Sequence, residues 1–146
     1  MTCELCATVG GTLLWQDTRC RVVYILEAGY PGYCRVIWNY HVAEMTDLAE
    51  VDRARCMHVV LKVESVLREL MAPDKINLVS LGNVTPHVHW HVIPRFRGDP
   101  HFPHSIWGPW RRDIPPTHPP GLSDRIAQRL TALLNNPAEN LVKNVT

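Results

Sequence analysis

The stretch His87-Val88-His89-Trp90-His91-Val92-Ile93-Pro94-Arg95-Phe96 decides how the rest of the chain is read. Histidines stand at every second position. Two is the strand period, so an extended chain points the three imidazoles to one side and Val88, Trp90 and Val92 to the other, where they can pack on a core. Val, Ile and Trp suit a strand, and Pro94, which cannot donate to a ladder, is expected to close it. Alternate residues on one strand face lie about 6–7 Å apart. That is too far for neighbouring rings to hydrogen-bond directly, but right for gripping one polyanionic group.

Three readings of this row follow from chemistry. A neutral imidazole can attack phosphorus while its neighbours donate N–H groups to phosphate oxygens, splitting one hard displacement into two easier ones. His-x-His on a strand is also a common way to offer two imidazoles to a metal. The plain alternative is three strand histidines with no task. Alternation by accident is easier for two histidines than for three.

The 146 residues are enough for one ordinary domain with a real core. With 15 basic and 14 acidic residues the net charge is +1, which points to neither nucleic acid nor a membrane surface as partner. No apolar run approaches transmembrane length. Met1 to Gly11 lacks a signal-peptide pattern and the five cysteines are odd in number, so the expectation is a cytoplasmic protein with free thiols.

Short strands are expected at Thr12–Trp15, Arg21–Leu26, Tyr33–Trp38 and Ile76–Leu81, the last pairing antiparallel with the histidine strand through the turn Gly82-Asn83-Val84-Thr85-Pro86. One long helix is expected from the Thr46-Asp47 cap to Ala72, before Pro73. Val59, Val63, Val66 and Leu70 recur along it at helical spacing, with Leu48, Val51 and Leu67 broadening the apolar stripe. A short amphipathic helix is expected over Ser123–Leu134, capped by Ser123. Strands on both sides of one long helix give an α+β domain with an antiparallel sheet.

His87-Val88-His89-Trp90-His91-Val92-Ile93 resembles the signature of the histidine triad (HIT) family of nucleotide hydrolases and transferases. Cys34 to His41, Met45 to Leu48 and Asp74 to Asn83 resemble further family segments, and Arg97 to Pro100 and Ile106 to Trp110 resemble the tail of a bacterial HIT subgroup. The resemblance implies a HIT-like fold over residues 1–110, usually a homodimer whose half-sheets join. Residues 111–146 then form a C-terminal extension whose short helix packs on the same domain. It implies that His89 is the nucleophile on the α-phosphorus of a purine nucleotide or dinucleotide, such as a phosphoramidate or dinucleoside polyphosphate. The backbone carbonyl of His87 would fix its tautomer, with His91 and Asn83 donating to phosphate oxygens. No metal is required at that centre. Thr85, Glu27, Asn77 and Trp107 are the remaining candidate substrate contacts: Glu27 for the ribose hydroxyls, Trp107 for stacking on a base.

The family glutamine before the triad is matched here by Asn83, and its leaving-group hydroxyl by Val84, with Thr85 one position away. That departure leaves leaving-group assistance open, and with it a nucleotide-binding domain of vestigial activity or a phosphorylase. Cys3-Glu4-Leu5-Cys6 can supply two metal ligands from one turn. Some family members complete such a pair with histidines matching His41 and His87, so the resemblance implies a structural zinc on Cys3, Cys6, His41 and His87.

Overall fold

In the computed structural model, which describes residues 2–113 and 118–135, a five-stranded antiparallel sheet runs in the order β1-β2-β3-β5-β4. The strands are β1 (Thr12–Gln16), β2 (Cys20–Tyr24), β3 (Cys34–Trp38), β4 (Lys75–Val79) and β5 (His89–Arg95). The single turn α1 (Glu4–Ala7) precedes them, the long α2 (Glu50–Met71) links β3 to β4, and α3 (Leu122–Leu134) follows. The α+β architecture and antiparallel sheet read from the sequence are the observed ones.

One face of the sheet carries Val22, Tyr24, Cys34, Val36, Trp38, Val88 and Val92. Against it pack Cys56, Val59, Val60, Val63, Val66 and Leu67 of α2, and Leu122, Ile126, Leu130 and Leu134 of α3. Pairing Cys34 with Val92 and Val36 with Trp90 puts the residues between them, Arg35 with His91 and Ile37 with His89, on the opposite face. The helices thus cover one side of β5 and leave its histidine side to other groups.

Several boundaries differ from the sequence reading for identifiable reasons. Thr46 and Asp47 belong to a separate 3-10 turn (Met45–Asp47) closed by a reciprocal box between Glu44 and Asp47. Leu48 then returns to an extended conformation and α2 starts at Glu50. Val51 lies off the apolar stripe and is 64% exposed. At the far end Ala72 takes the left-handed conformation and its N–H closes on the Arg68 carbonyl. In α3, Gly121 at φ +74° occupies the cap position expected of Ser123. β5 does not end at Pro94: it continues to Arg95, with Pro94 paired to Ile76. The pairing with β3 ends at Val92, so Pro94 has a strand neighbour on one side only, the setting in which a strand tolerates proline.

The turn into β3 depends on Gly32. At φ +83° it holds a left-handed conformation, and a side chain there would overlap the Met71 sulfur. This turn delivers Tyr33 beneath the histidines. The expected extension 111–146 is described only in part. Its helix shares the core of the sheet, while 114–117 and 136–146 lie outside the described residues.

Candidate active site and metal centre

The strand period alone would align three equivalent histidines, but the structure separates them into one and two. His87 precedes β5 and is buried against a different set of groups from His89 and His91. Its Nε2 lies 2.5 Å from the Trp38 carbonyl and therefore donates to it. Its Nδ1 is left with a free lone pair, 3.4 Å from Sγ of Cys3 and 3.5 Å from Sγ of Cys6. Nδ1 of His41 stands 3.5 Å from the same Cys6 sulfur. The four ligand atoms of Cys3, Cys6, His41 and His87 lie within 4.8 Å of one another.

Arg21 holds the cysteine turn in place. Its guanidinium donates to the Leu5, Thr8 and Val9 carbonyls and to Asn39 Oδ1. Two sulfurs and two imidazole nitrogens at this spacing match the donor set of a closed, four-coordinate zinc site. Zinc bound there would tie the N-terminal turn to the segment entering β5. All five cysteines are free thiols. Burial pushes Cys34, Cys20 and Cys56 up, the last to about 11, and so keeps them protonated.

The carbonyl of His87 faces the other way. It lies 2.6 Å from Nδ1 of His89, and because a carbonyl can only accept, Nδ1 carries the hydrogen. Nε2 of His89 is then the nitrogen with an available lone pair. The rings of His89 and His91 are 5.0 Å apart, closer than bare strand spacing, and Trp107 meets His91 edge-on at 5.1 Å. Burial, followed by the charge of Arg35 and the neighbouring His89, pushes His91 down to about 4. His91 is thus neutral near pH 7. Its Nδ1 is engaged by the Tyr33 phenol at 2.6 Å. Ser80, just past the end of β4, steadies the strand by donating to the His89 carbonyl at 3.1 Å.

A cavity of about 450 Å³ opens over His89 and His91, lined also by Arg35, Asn83, Val84, Thr85, Trp107 and, from α1, Glu4. Of the candidate contacts read from the sequence, Asn83, Thr85 and Trp107 are therefore gathered with the two histidines. Glu27 and Asn77 are not among the lining residues. Glu27 is exposed on the β2–β3 loop, where its carbonyl accepts from His118. Asn77 accepts from Arg95 on a separate concavity along β4. Val84, although 97% exposed, also lines the cavity, at its rim between Asn83 and Thr85. Arg95 is no ligand in waiting: it is buried in a bidentate pair with Asp99 at 2.7 and 3.0 Å.

Two residues of the site escaped the sequence reading. Tyr33 and Arg35 were read only as members of the Tyr33–Trp38 strand. Only the register that sets Arg35 opposite His91 reveals the second.

Comparison with known proteins gives this geometry a lineage. The chain is 30% identical over 99 residues to the AP-4-A phosphorylase of Mycobacterium tuberculosis, a match covering 62% of this chain and 51% of that one. It is 27% identical over 95 residues to the asymmetrical bis(5'-nucleosyl)-tetraphosphatase of Schizosaccharomyces pombe, covering 61% and 52%. The chain thus spans about half the length of these curated relatives. The crystal structure of a histidine triad protein from Bradyrhizobium japonicum superposes with a TM-score of 0.70 at 27% identity, over 85% of this chain and 90% of that one. The HIT domain family profile matches residues 9–98, and with the histidine row inside that span the chain belongs to the HIT domain family.

Proposed function

We propose that the protein is a nucleotide hydrolase or transferase acting at the α-phosphorus of a dinucleoside polyphosphate or related nucleotide through a nucleotidyl-His89 intermediate. The observation that carries this is the His87 carbonyl on Nδ1 of His89, which fixes the ring hydrogen there and leaves Nε2 as the nitrogen beside the cavity. Nε2 attacks phosphorus, the bond to the leaving-group oxygen breaks, and the electron pair leaves with that oxygen. Water, shedding a proton to solvent, or inorganic phosphate then attacks the same phosphorus, and the P–N bond breaks with its electron pair returning to Nε2 of His89, which releases the nucleotide. His91 donates Nε2–H to a phosphate oxygen without carrying a charge itself, and Asn83 is placed to do the same. Trp107 offers a ring for a purine.

The relatives named for a phosphorylase and for a tetraphosphatase differ in whether phosphate or water completes the second step. Both acceptors suit this site. The absence of a hydroxyl on Val84, which lines the cavity, favours a second reading: a nucleotide-binding domain whose turnover is vestigial. Zinc on Cys3, Cys6, His41 and His87 serves structure in this account. A homodimer in which two copies join their sheets along an outer strand is part of the same proposal. The cytoplasm is the proposed compartment, and among the described residues no helix is long and apolar enough to cross a membrane.

The test is AMP release from diadenosine tetraphosphate and from adenosine 5′-phosphoramidate, for the wild type beside His89→Ala. The reading expects release that the substitution lowers by roughly a thousandfold or more. Absence of release from both substrates, with AMP still bound, would establish the binding-domain reading instead.

A further inference from the structure

The arginines near the sheet are nearly all engaged by protein groups. Arg21 is taken up by four oxygens, Arg55 by Asp17, and Arg95 by Asp99, Asn77 and the His104 carbonyl. Arg35 is different. It stands on β3 directly across from His91 and lines the cavity over His89. Its guanidinium interacts with the Tyr33 phenol, but its Nε is buried and has no hydrogen-bond partner, a state it shares with Arg53 and Arg129 of the helices, neither of which lines this cavity. The guanidinium carbon rests 5.8 Å from the centre of the Tyr33 ring, which orients the group. Among the described residues no ion pair engages it. A buried N–H without a partner, on a fixed cation, inside the cavity that holds the nucleophile, is a group prepared for an anionic oxygen.

Resting on the reading of His89 as nucleophile, we propose that Arg35 is the specificity-determining residue that stabilises an anionic phosphate leaving group. Bond cleavage to a phosphate leaving group concentrates negative charge on the departing oxygen. A planar guanidinium meets that charge with two donors and loses no proton. An amine leaving from a phosphoramidate needs a proton, which a guanidinium cannot give up in a protein. Arg35 therefore favours polyphosphate-linked nucleotides over amidates.

The test compares kcat/KM for diadenosine tetraphosphate and adenosine 5′-phosphoramidate in the wild type, Arg35→Gln and Arg35→Lys. The ratio of the two values is internal to each variant, so a partly misfolded preparation lowers both values and leaves the ratio alone. Arg35→Gln is expected to lower the dinucleotide-to-amidate ratio by about tenfold or more, with Arg35→Lys between it and the wild type. A ratio within about threefold of the wild type in Arg35→Gln overturns the proposal. If the wild type turns over neither substrate, the nucleophile reading fails on its own. Calorimetric binding of inorganic tripolyphosphate then decides the role of Arg35: about tenfold weaker binding in Arg35→Gln supports it, and equal binding overturns it.

Discussion

The phenol oxygen of Tyr33 lies 2.6 Å from Nδ1 of His91, in a setting buried from solvent. Burial raises the Tyr33 pKa, so the phenol keeps its proton and donates it. Nδ1 of His91 accepts, and the ring hydrogen is confined to Nε2, the position from which it can reach a phosphate oxygen. Tyr33→Phe removes this control. The expected result is a mixture of His91 tautomers in ¹⁵N NMR and a fall in kcat/KM of roughly tenfold or more. An unchanged Nε2–H tautomer in the variant would show that Tyr33 only packs.

Stability should report the same burial. His91 is pushed down to about 4 from an ordinary 6.5, by burial first and then by Arg35 and His89. As pH falls, the unfolded chain takes up a proton on this residue before the folded one does. The contribution is whole above about pH 6.5, declines through the window down to about pH 4, and is absent below it. It amounts to something on the order of 3 kcal/mol. Chemical denaturation across that window should give a shallower pH dependence in His91→Gln than in the wild type. Equal slopes would contradict the neutral, buried state.

Arg95 and Asp99 form the most deeply placed ion pair described, with Asp99 fully buried. Burial works to raise the Asp99 pKa, but the Arg95 hydrogen bonds and the Phe102 and His101 amides outweigh it and hold the carboxyl below its usual range. Its contribution is therefore present above the ordinary carboxyl pKa and lost as pH falls through the lowered one. Asp99→Ala leaves a buried guanidinium uncompensated, at an expected cost of about 3–5 kcal/mol. That corresponds to roughly 10 °C in Tm for a chain of this size. Thermal unfolding of Asp99→Ala checks this, and a loss of under about 1 kcal/mol would mean that Arg95 finds another partner.

The cysteine turn makes a compositional prediction. Purified protein should carry one zinc per chain by elemental analysis, and the Cys3→Ser, Cys6→Ser double variant none. Chelation should lower Tm, because metal binding here joins the N-terminal turn to the segment that enters β5. Metal retained in the double variant would place the ion elsewhere.

Much of this site was legible in one line of sequence, and the exceptions have physical causes. The alternation of His87, His89 and His91 gave the strand and its two faces, and Val88 and Val92 do pack on the core. Alternation cannot say where a strand begins. His87 lies just before β5, where the Trp38 carbonyl and two thiols claim its ring. A capping signal such as Thr46-Asp47 is local, and here the turn it closes stops short of α2. Arginines are harder still, because their roles depend on long-range partners. Arg95 follows the triad like a phosphate ligand yet is consumed by Asp99, while Arg35 sits unremarked in an apolar strand until β3 is laid against β5.

The central claim is that His89 becomes covalently nucleotidylated. The direct measurement is rapid-quench intact-protein mass spectrometry during turnover of diadenosine tetraphosphate, followed by peptide mapping under conditions that preserve P–N bonds. The account predicts a transient adduct of one AMP per chain, mapped to His89 and absent in His89→Ala. Turnover with no adduct under conditions that trap a phosphoramidate standard, or an adduct on another residue, would contradict it.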